Sequence, residues 1–204
     1  MRRALPRLHA ITDERIARRA DLEAILEDLG DLELAVHARG RMLSGREHYD
    51  LAIRLSARAP ARPNVRLFVN DRLDIALAAR ADGVQFSRSG LLPEDARRIA
   101  PDWWIGCSVH SLEEARTARD WGADYLLAGP VYHTATHPTA APLGIGALRD
   151  IARLGLPVIA IGGITAARAR EAAAAGAYGV AAIRAIWDAP DPGETARGLL
   201  EAVG

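Results

Sequence analysis

The sequence predicts an α/β protein of the (β/α)8 TIM barrel class, and three observations lead to that prediction. Eight short apolar segments alternate with segments of helical periodicity along the 204 residues. Residues 105–128 read as strand, helix and strand, a unit whose two strands must lie parallel. No G-x-G-x-x-G motif follows the first strand, which disfavours an open doubly wound sheet. Because composition never shifts and no linker interrupts the pattern, residues 1–204 are predicted to form a single domain.

The predicted strands are buried apolar runs that end at polar residues or glycine. They cover residues 8–12, 32–38, 65–69, 83–86, 105–109, 125–128, 157–161 and 180–183.

The predicted helices begin at residues that favour helix starts. Asp21 is expected to cap residues 22–29, and Thr165 to cap an Ala-rich helix. Ser111 caps residues 112–121, with Glu114 completing a capping box. Pro93 opens another helix in its first turn. The remaining predicted helices span residues 45–59, 73–80 and 194–203.

Composition excludes several classes of function. The chain carries 26 basic and 26 acidic residues, so we expect neither nucleic acid nor an anionic membrane as partner. It contains no lysine, which excludes Schiff-base catalysis, and the single Cys107 excludes an internal disulfide and a cysteine-based zinc site. No apolar run spans a membrane and no signal peptide begins the chain, so we expect a soluble cytoplasmic protein.

A phosphate site is predicted at Gly162-Gly163 after the seventh strand, together with Ile183-Arg184 after the eighth. Glycines let backbone N–H groups approach phosphate oxygens, and α/β barrels commonly hold phosphate in these two loops. The alternative is a tight turn that needs positive φ, with Arg184 only solvated.

Arg39 and Arg41 follow the second strand. Residues two apart on a strand point the same way, so both guanidinium groups are expected to meet one anion. The alternative is a pair of surface arginines. His37 lies two residues before Arg39, so it is expected to point the same way as both arginines. The alternation alone therefore does not distinguish His37 from Arg39 and Arg41.

Asn70-Asp71 after the third strand are expected to contact a metal or a polar ring. The alternative for Asp71 is a helix N-cap. A metal-diphosphate site needs a second carboxylate, and residues 85–89 after the fourth strand contain none, so metal is disfavoured.

Four histidines, His37, His110, His133 and His137, lie near predicted strand ends. Each alone is more often structural, but together on one rim they predict a general acid/base group. Their spacing in the sequence does not match that of a recognised metal-binding motif.

Five stretches, in order, resemble the thiamine phosphate synthase/TenI superfamily of (β/α)8 barrels. They are LHAITD, FVNDRLDIALAARADGVQ, IGCSVHSLEEA, GADYLLAGPVYHTATHPTAAPLG and PVIAIGGIT.

The synthase branch of this superfamily joins a pyrimidine diphosphate to a thiazole phosphate with Mg²⁺. Asn70-Asp71 and Ser108 match its pattern. Its strand-two motif V-Q-x-R-x-K is V-H-A-R-G-R here, and its T-x-T-K element is Thr134-Ala135-Thr136-His137, so the lysines are missing. Its second metal-binding Asp falls near Ser89 or Gly90 and is also missing.

The TenI branch, a thiazole tautomerase, is the closer resemblance through H-x-R-x-R at residues 37–41, although its usual histidine position holds Pro130. The resemblance implies a thiazole phosphate ligand and no cofactor. The histidine cluster adds the hypothesis that His133 or His37 transfers the proton. Mg²⁺, with Asp71 as its ligand, is expected only for a synthase. The predicted ligand contacts are Arg39, Arg41, Asn70, Ser108, Thr134, Thr136, Gly162, Gly163, Ile183 and Arg184.

Two alternatives stay open. One is a synthase in which His137 and Arg41 replace the missing lysines. The other is a non-catalytic binding or regulatory homologue. Because barrels of this superfamily are often oligomeric, a homo-oligomer is a further expectation.

Overall fold

The computed structural model describes residues 4–29, 32–56, 64–134, 139 and 141–204. Eight parallel strands form a closed barrel in chain order, with the first strand paired to the last, and confirm the predicted fold class. The strands are β1 (Leu8–Ile11), β2 (Leu34–Ala38), β3 (Val65–Asn70), β4 (Gly83–Phe86), β5 (Trp104–Val109), β6 (Tyr125–Ala128), β7 (Val158–Ile161) and β8 (Gly179–Ala182).

Helices surround the barrel. Within the described residues they are α1 (Glu14–Ala17), α2 (Leu22–Asp28), α3 (Gly45–Ser56), α4 (Leu73–Ala78), α5 (Pro93–Ile99), α6 (Leu112–Asp120), α7 (Gly144–Ala152), α8 (Ala166–Ala174), α9 (Arg184–Trp187) and α10 (Pro192–Val203). None of these helices is long and apolar enough to cross a membrane. The predicted helix end at residues 57–59 lies outside the described residues.

The barrel interior is filled by rings rather than by aliphatic side chains alone. His37 stacks on Phe68 with ring centroids 5.0 Å apart, and Tyr125 meets Phe68 edge-on at 5.9 Å. Glycines make room for these rings: a Cβ at Gly83 would lie 2.7 Å from Phe68 Cε1, and one at Gly106 2.2 Å from Tyr125 Cζ. The packed interior confines ligands to the ends of the barrel.

Most predicted caps are present with the expected bonds. The Ser111 hydroxyl accepts from the Glu114 N–H, and the Thr165 hydroxyl accepts from the N–H three residues on. Glu114 bonds the N–H of His110 instead of that of Ser111, so the capping box is displaced by one residue. Asp21 occupies the N-cap position of α2 but makes no capping bond, because its carboxylate pairs with Arg19.

Three helices were not predicted from the sequence. Helices α1 and α9 are single turns of four residues, too short to show a periodicity. Helix α7 begins after the polar loop that follows β6. Helix α9 starts directly after β8 and places its first turn beside the mouth of the barrel, where the predicted phosphate loop lies.

Candidate functional site

A cavity of about 1100 Å³ opens at the carboxyl ends of the strands. Most of the predicted site residues line it: Arg39, Arg41, Asn70, Asp71, Ser108, His133, Thr134, Gly162, Gly163, Ile183 and Arg184. Thr136 and His137 lie outside the described residues. The order of the strands therefore brings together residues that are up to 145 positions apart in the sequence.

The turn after β7 needs glycine at both positions. Gly162 and Gly163 have φ of +98° and +66°. A Cβ at Gly162 would lie 2.6 Å from Pro130 Cα, and one at Gly163 2.6 Å from the His133 carbonyl oxygen. Both glycines are thus required for the tight turn that was the alternative interpretation. The same turn also leaves the Gly163 N–H without a hydrogen-bond partner among the described residues.

We call the turn and the start of α9 the glycine rim (Gly162, Gly163, Ile183, Arg184). The Arg184 guanidinium makes no ion pair and donates no hydrogen bond within the part of the chain that the structure describes. Its backbone N–H is likewise unpaired among those residues, as first-turn donors usually are. Free N–H groups beside an unpaired cation provide the chemistry that binds a phosphate group.

We call the segment after β2 the arginine rim (Arg39, Arg41). Neither guanidinium makes an ion pair or a side-chain hydrogen bond to any described residue, whereas Arg19, Arg54 and Arg97 pair with carboxylates. Burial, and then the charge of Arg41, lower the pKa of Arg39. Two unpaired cations held close together are stabilised by an anion between them.

The two rims lie at different positions around the barrel mouth. In the closed barrel β1 separates β2 from β8, and β1 and β8 together separate β2 from β7. The arginine rim follows β2, while the glycine rim follows β7 and β8. The cavity is therefore lined by two separate groups of donors suited to anions.

Asp71 follows β3 and is not the N-cap that was its alternative interpretation. The N-cap of α4 is Arg72, while Asp71 adopts φ of 59° and its Oδ1 accepts from the Ser87 N–H at 2.7 Å. This bond ties the loop after β3 to the loop after β4. The second carboxylate oxygen receives no hydrogen bond from a described residue.

The donor set around Asp71 fits only one kind of metal site. Among the described residues no three His, Cys, Asp or Glu side chains form a metal-binding group. The missing second carboxylate falls near Ser89 or Gly90, and a Cβ at Gly90 would lie 2.9 Å from Asp71 Oδ1. Mg²⁺ commonly takes one carboxylate and fills its other positions with phosphate oxygens and water. The residues present fit a Mg²⁺ ion that is shared with a bound diphosphate.

The structure corrects the prediction that His37 contacts the substrate. His37 is fully buried and does not line the cavity. Its Nε2 lies 2.9 Å from Nδ1 of His9 in β1, and its Nδ1 lies 3.3 Å from Oδ1 of Asn70. Burial lowers the pKa of His9 to about 4, and burial followed by the charge of His9 lowers the pKa of His37 well below its usual value. These shifts favour the neutral form of both rings.

His133 is the predicted histidine that remains available for proton transfer. Its side chain is exposed and lines the cavity in the loop after β6, as does Pro130. His110 also reaches the cavity, but its Nδ1 lies 3.0 Å from Glu114 Oε2 in an exposed pair.

Two cavity residues were missed by the sequence analysis. His48 is buried, and its Nε2 donates to the Ala38 carbonyl at 2.8 Å. Arg168 lies over the Tyr132 ring and donates to the Gly163 carbonyl, which fixes the glycine rim. No motif marks either residue, because both lie inside helices.

Gln85 supports the site from outside the cavity. It is fully buried and does not line the cavity, but its Nε2 donates to the hydroxyl of Ser108, which does, at 3.1 Å.

Comparison with known proteins shows which family this chain resembles. Residues 8–186 match the sequence profile of the family described as thiamine monophosphate synthase, TMP-TENI. The chain is 40% identical over 186 residues to a thiamine-phosphate synthase of Pyrococcus furiosus, covering 91% of this chain and 88% of that protein.

Two further similarities cover most of this chain. A thiamine biosynthesis bifunctional protein ThiM/ThiE of Symbiobacterium thermophilum is 46% identical over 181 residues, which are 84% of this chain and 38% of that protein. Among solved structures, a thiamine phosphate pyrophosphorylase from Pyrococcus furiosus superposes with a TM-score of 0.82 at 36% identity, covering 97% of this chain and 95% of the other.

Proposed function

The chain belongs to the thiamine monophosphate synthase family, and from this premise we propose that it is a thiamine-phosphate synthase. In this reaction a pyrimidine diphosphate and a thiazole phosphate are joined and diphosphate is released. The similar proteins named above carry synthase names, so they support this alternative better than the tautomerase that the sequence favoured.

The observation that carries the proposal is the presence of two separate cationic or N–H-rich rims in one cavity. A tautomerase needs to hold one monophosphate and a carboxylate, whereas a synthase must hold a monophosphate and a diphosphate at once. The cavity volume of about 1100 Å³ lies at the upper end of ligand sites, which supports two substrates side by side.

In the proposed complex the glycine rim holds the monophosphate through the Gly163 N–H and Arg184. Arg39 and Arg41 bind the oxygens of the diphosphate. As the bond between pyrimidine and diphosphate breaks, negative charge grows on the leaving group, and these two guanidinium groups stabilise it. Mg²⁺, when bound with the diphosphate, neutralises further charge, and Asp71 is the described carboxylate placed to hold it.

Ser108 is oriented by its neighbour. Its oxygen accepts a hydrogen bond from Gln85 Nε2, so its own hydroxyl hydrogen is left to donate into the cavity. We assign it to a phosphate oxygen or a ring acceptor of the substrate pair.

The sequence departs from the synthase pattern in a way that the arginine rim compensates in part. Arg41 stands where the motif has lysine, and a guanidinium offers two parallel donors to a phosphate group. The absence of the second carboxylate, near Ser89 or Gly90, removes a metal ligand but also removes negative charge beside the diphosphate.

A second candidate is the thiazole tautomerase, which the exposed His133 at the cavity favours. In this reaction His133 moves one proton on a thiazole phosphate held by the glycine rim. A His133→Ala variant with an unchanged tautomerisation rate would exclude that role.

The experiment that tests the proposal incubates the protein with both substrates, with each substrate alone, and with or without Mg²⁺. A synthase forms thiamine phosphate and free diphosphate in equal amounts only when both substrates are present. A protein that forms no product but speeds aromatisation of the thiazole tautomer is a tautomerase. Binding of thiazole phosphate without either reaction identifies a non-catalytic homologue.

A further inference from the structure

Three polar side chains form a continuous hydrogen-bonded row inside the barrel. His9 Nε2 lies 3.0 Å from the Pro6 carbonyl oxygen, and His9 Nδ1 lies 2.9 Å from His37 Nε2. His37 Nδ1 then lies 3.3 Å from the Asn70 amide. His9 and His37 have no exposed surface, whereas Asn70 lines the cavity. The row therefore runs from a backbone carbonyl to the cavity.

The number of protons in the row fixes its direction. A carbonyl oxygen only accepts, so His9 Nε2 must carry a hydrogen. In a neutral ring His9 Nδ1 is then an acceptor, so His37 Nε2 must carry the hydrogen between the two rings. That leaves His37 Nδ1 as an acceptor in its own neutral ring. Three hydrogen bonds need three protons, and two neutral rings supply two.

The third proton has to come from Asn70. With Oδ1 toward His37, two acceptors face each other. Rotating the amide by half a turn brings Nδ2 to the same point, because the two ends of a side-chain amide are nearly equal in shape. The low pKa of both buried rings disfavours the only other solution, a charged imidazolium.

We propose that His9 and His37 are positioning residues that hold the Asn70 amide with Nδ2 inward and Oδ1 toward the cavity. Asn70 then offers the substrate an acceptor and not a donor. It contacts an N–H or O–H group of the substrate, such as the amino group of a heteroaromatic ring. The phosphate oxygens, which need donors, are left to the arginine and glycine rims.

This geometry makes His37 replaceable by one kind of side chain. Glutamine offers an acceptor to Asn70 through Oε1 and a donor to His9 through Nε2, so it preserves both ends of the row. Leucine fills similar space but offers neither. If His37 only filled space, leucine would be tolerated better than glutamine, because leucine suits an apolar interior.

The direct test is the protonation pattern of the two rings, read from nitrogen-15 NMR of the histidine-labelled protein at pH 7. The proposal predicts that His9 and His37 are both neutral with hydrogen on Nε2. Hydrogen on His37 Nδ1, in a neutral or a charged ring, would overturn it. In Asn70→Asp the carboxylate cannot donate, so His37 is expected to keep its hydrogen on Nε2 and to gain a second one on Nδ1, as an imidazolium paired with the new carboxylate. An unchanged His37 pattern in that variant would also contradict the proposal.

The functional consequence rests on the proposed synthase reaction and is tested separately. His37→Leu is expected to raise KM for the substrate that carries the N–H group about 10-fold, the usual effect of removing a supporting partner. His37→Gln should keep KM and kcat within about 2-fold of the parent. Equal impairment of both variants, or a folded Leu variant with parent KM, contradicts positioning through Asn70. If the Leu variant does not fold, or the protein lacks synthase activity, the NMR measurement still decides the orientation.

Discussion

Replacing Gly162 by alanine tests the link between the glycine rim and the fold. At φ of +98° an alanine costs about 1–2 kcal/mol, because its Cβ crowds the backbone. The added Cβ would also lie 2.6 Å from Pro130 Cα, which is backbone and must shift, at a further cost of about 1–3 kcal/mol. The smaller entropy of the unfolded alanine chain returns about 0.4–1 kcal/mol. The free energy of unfolding is expected to fall by about 2–4 kcal/mol.

Gly122→Ala is the matched control for this substitution. Gly122 has φ of +87°, but a Cβ there has no atom within 4 Å. It therefore carries the cost of the dihedral angle without that of the contact, and its net loss is expected to be about 1 kcal/mol or less. The difference between the two variants measures the contact with Pro130.

Urea unfolding gives both free energies, and thermal melting gives a second reading. For a chain of this size 1 kcal/mol shifts Tm by about 2–4 °C, so Gly162→Ala should melt roughly 5–15 °C lower. KM for the thiazole phosphate should rise in Gly162→Ala and not in Gly122→Ala. Equal stability of the two variants would refute the contact, and an unchanged KM would refute the phosphate role of the turn.

Three further predictions concern titratable side chains. Arg39→Ala should weaken pyrophosphate binding about 10-fold or more in calorimetry, because a charge-assisted contact is lost, and a Kd equal to the parent's would exclude Arg39 from the anion site. Asp71→Asn keeps an acceptor for the Ser87 N–H, so the variant should melt near the parent temperature. Its Mg²⁺-dependent turnover should fall about 100-fold. Undiminished turnover would contradict the metal role of Asp71. Burial lowers the pKa of His9 to about 4 in the folded protein. As the pH falls below 6.5, the unfolded chain therefore binds a proton at His9 before the folded chain does. The stability that is present above pH 6.5 is lost progressively toward pH 4. Urea unfolding should show about 2 kcal/mol of that loss between pH 7 and pH 5, and His9→Phe should lose less; an equal loss in both proteins would rule out His9 as its source.

The parts of the fold that depend on local chemistry could be read from the sequence. Strand positions agree within one or two residues, because each strand is a short apolar run bounded by polar residues. The caps at Ser111 and Thr165 act over three residues and need no tertiary information.

Features that join distant strands could not be read in the same way. Asp71 looks like a helix cap, but its partner Ser87 lies 16 residues further on, across the β3–β4 pairing. The strands are buried on both faces, so apolar residues do not alternate and the inward positions cannot be told from the outward ones. For this reason His9 was overlooked and His37 was placed at the substrate, although both face the closed interior.

The measurement that tests the central claim most directly is a calorimetric titration of thiazole phosphate into protein that is already saturated with pyrophosphate and Mg²⁺. Two separate anion-binding rims predict that one equivalent of each ligand binds and that pyrophosphate leaves the Kd of thiazole phosphate unchanged or lower. Competition between the two ligands, with one displacing the other, would mean that the cavity holds a single phosphate site and would contradict a synthase.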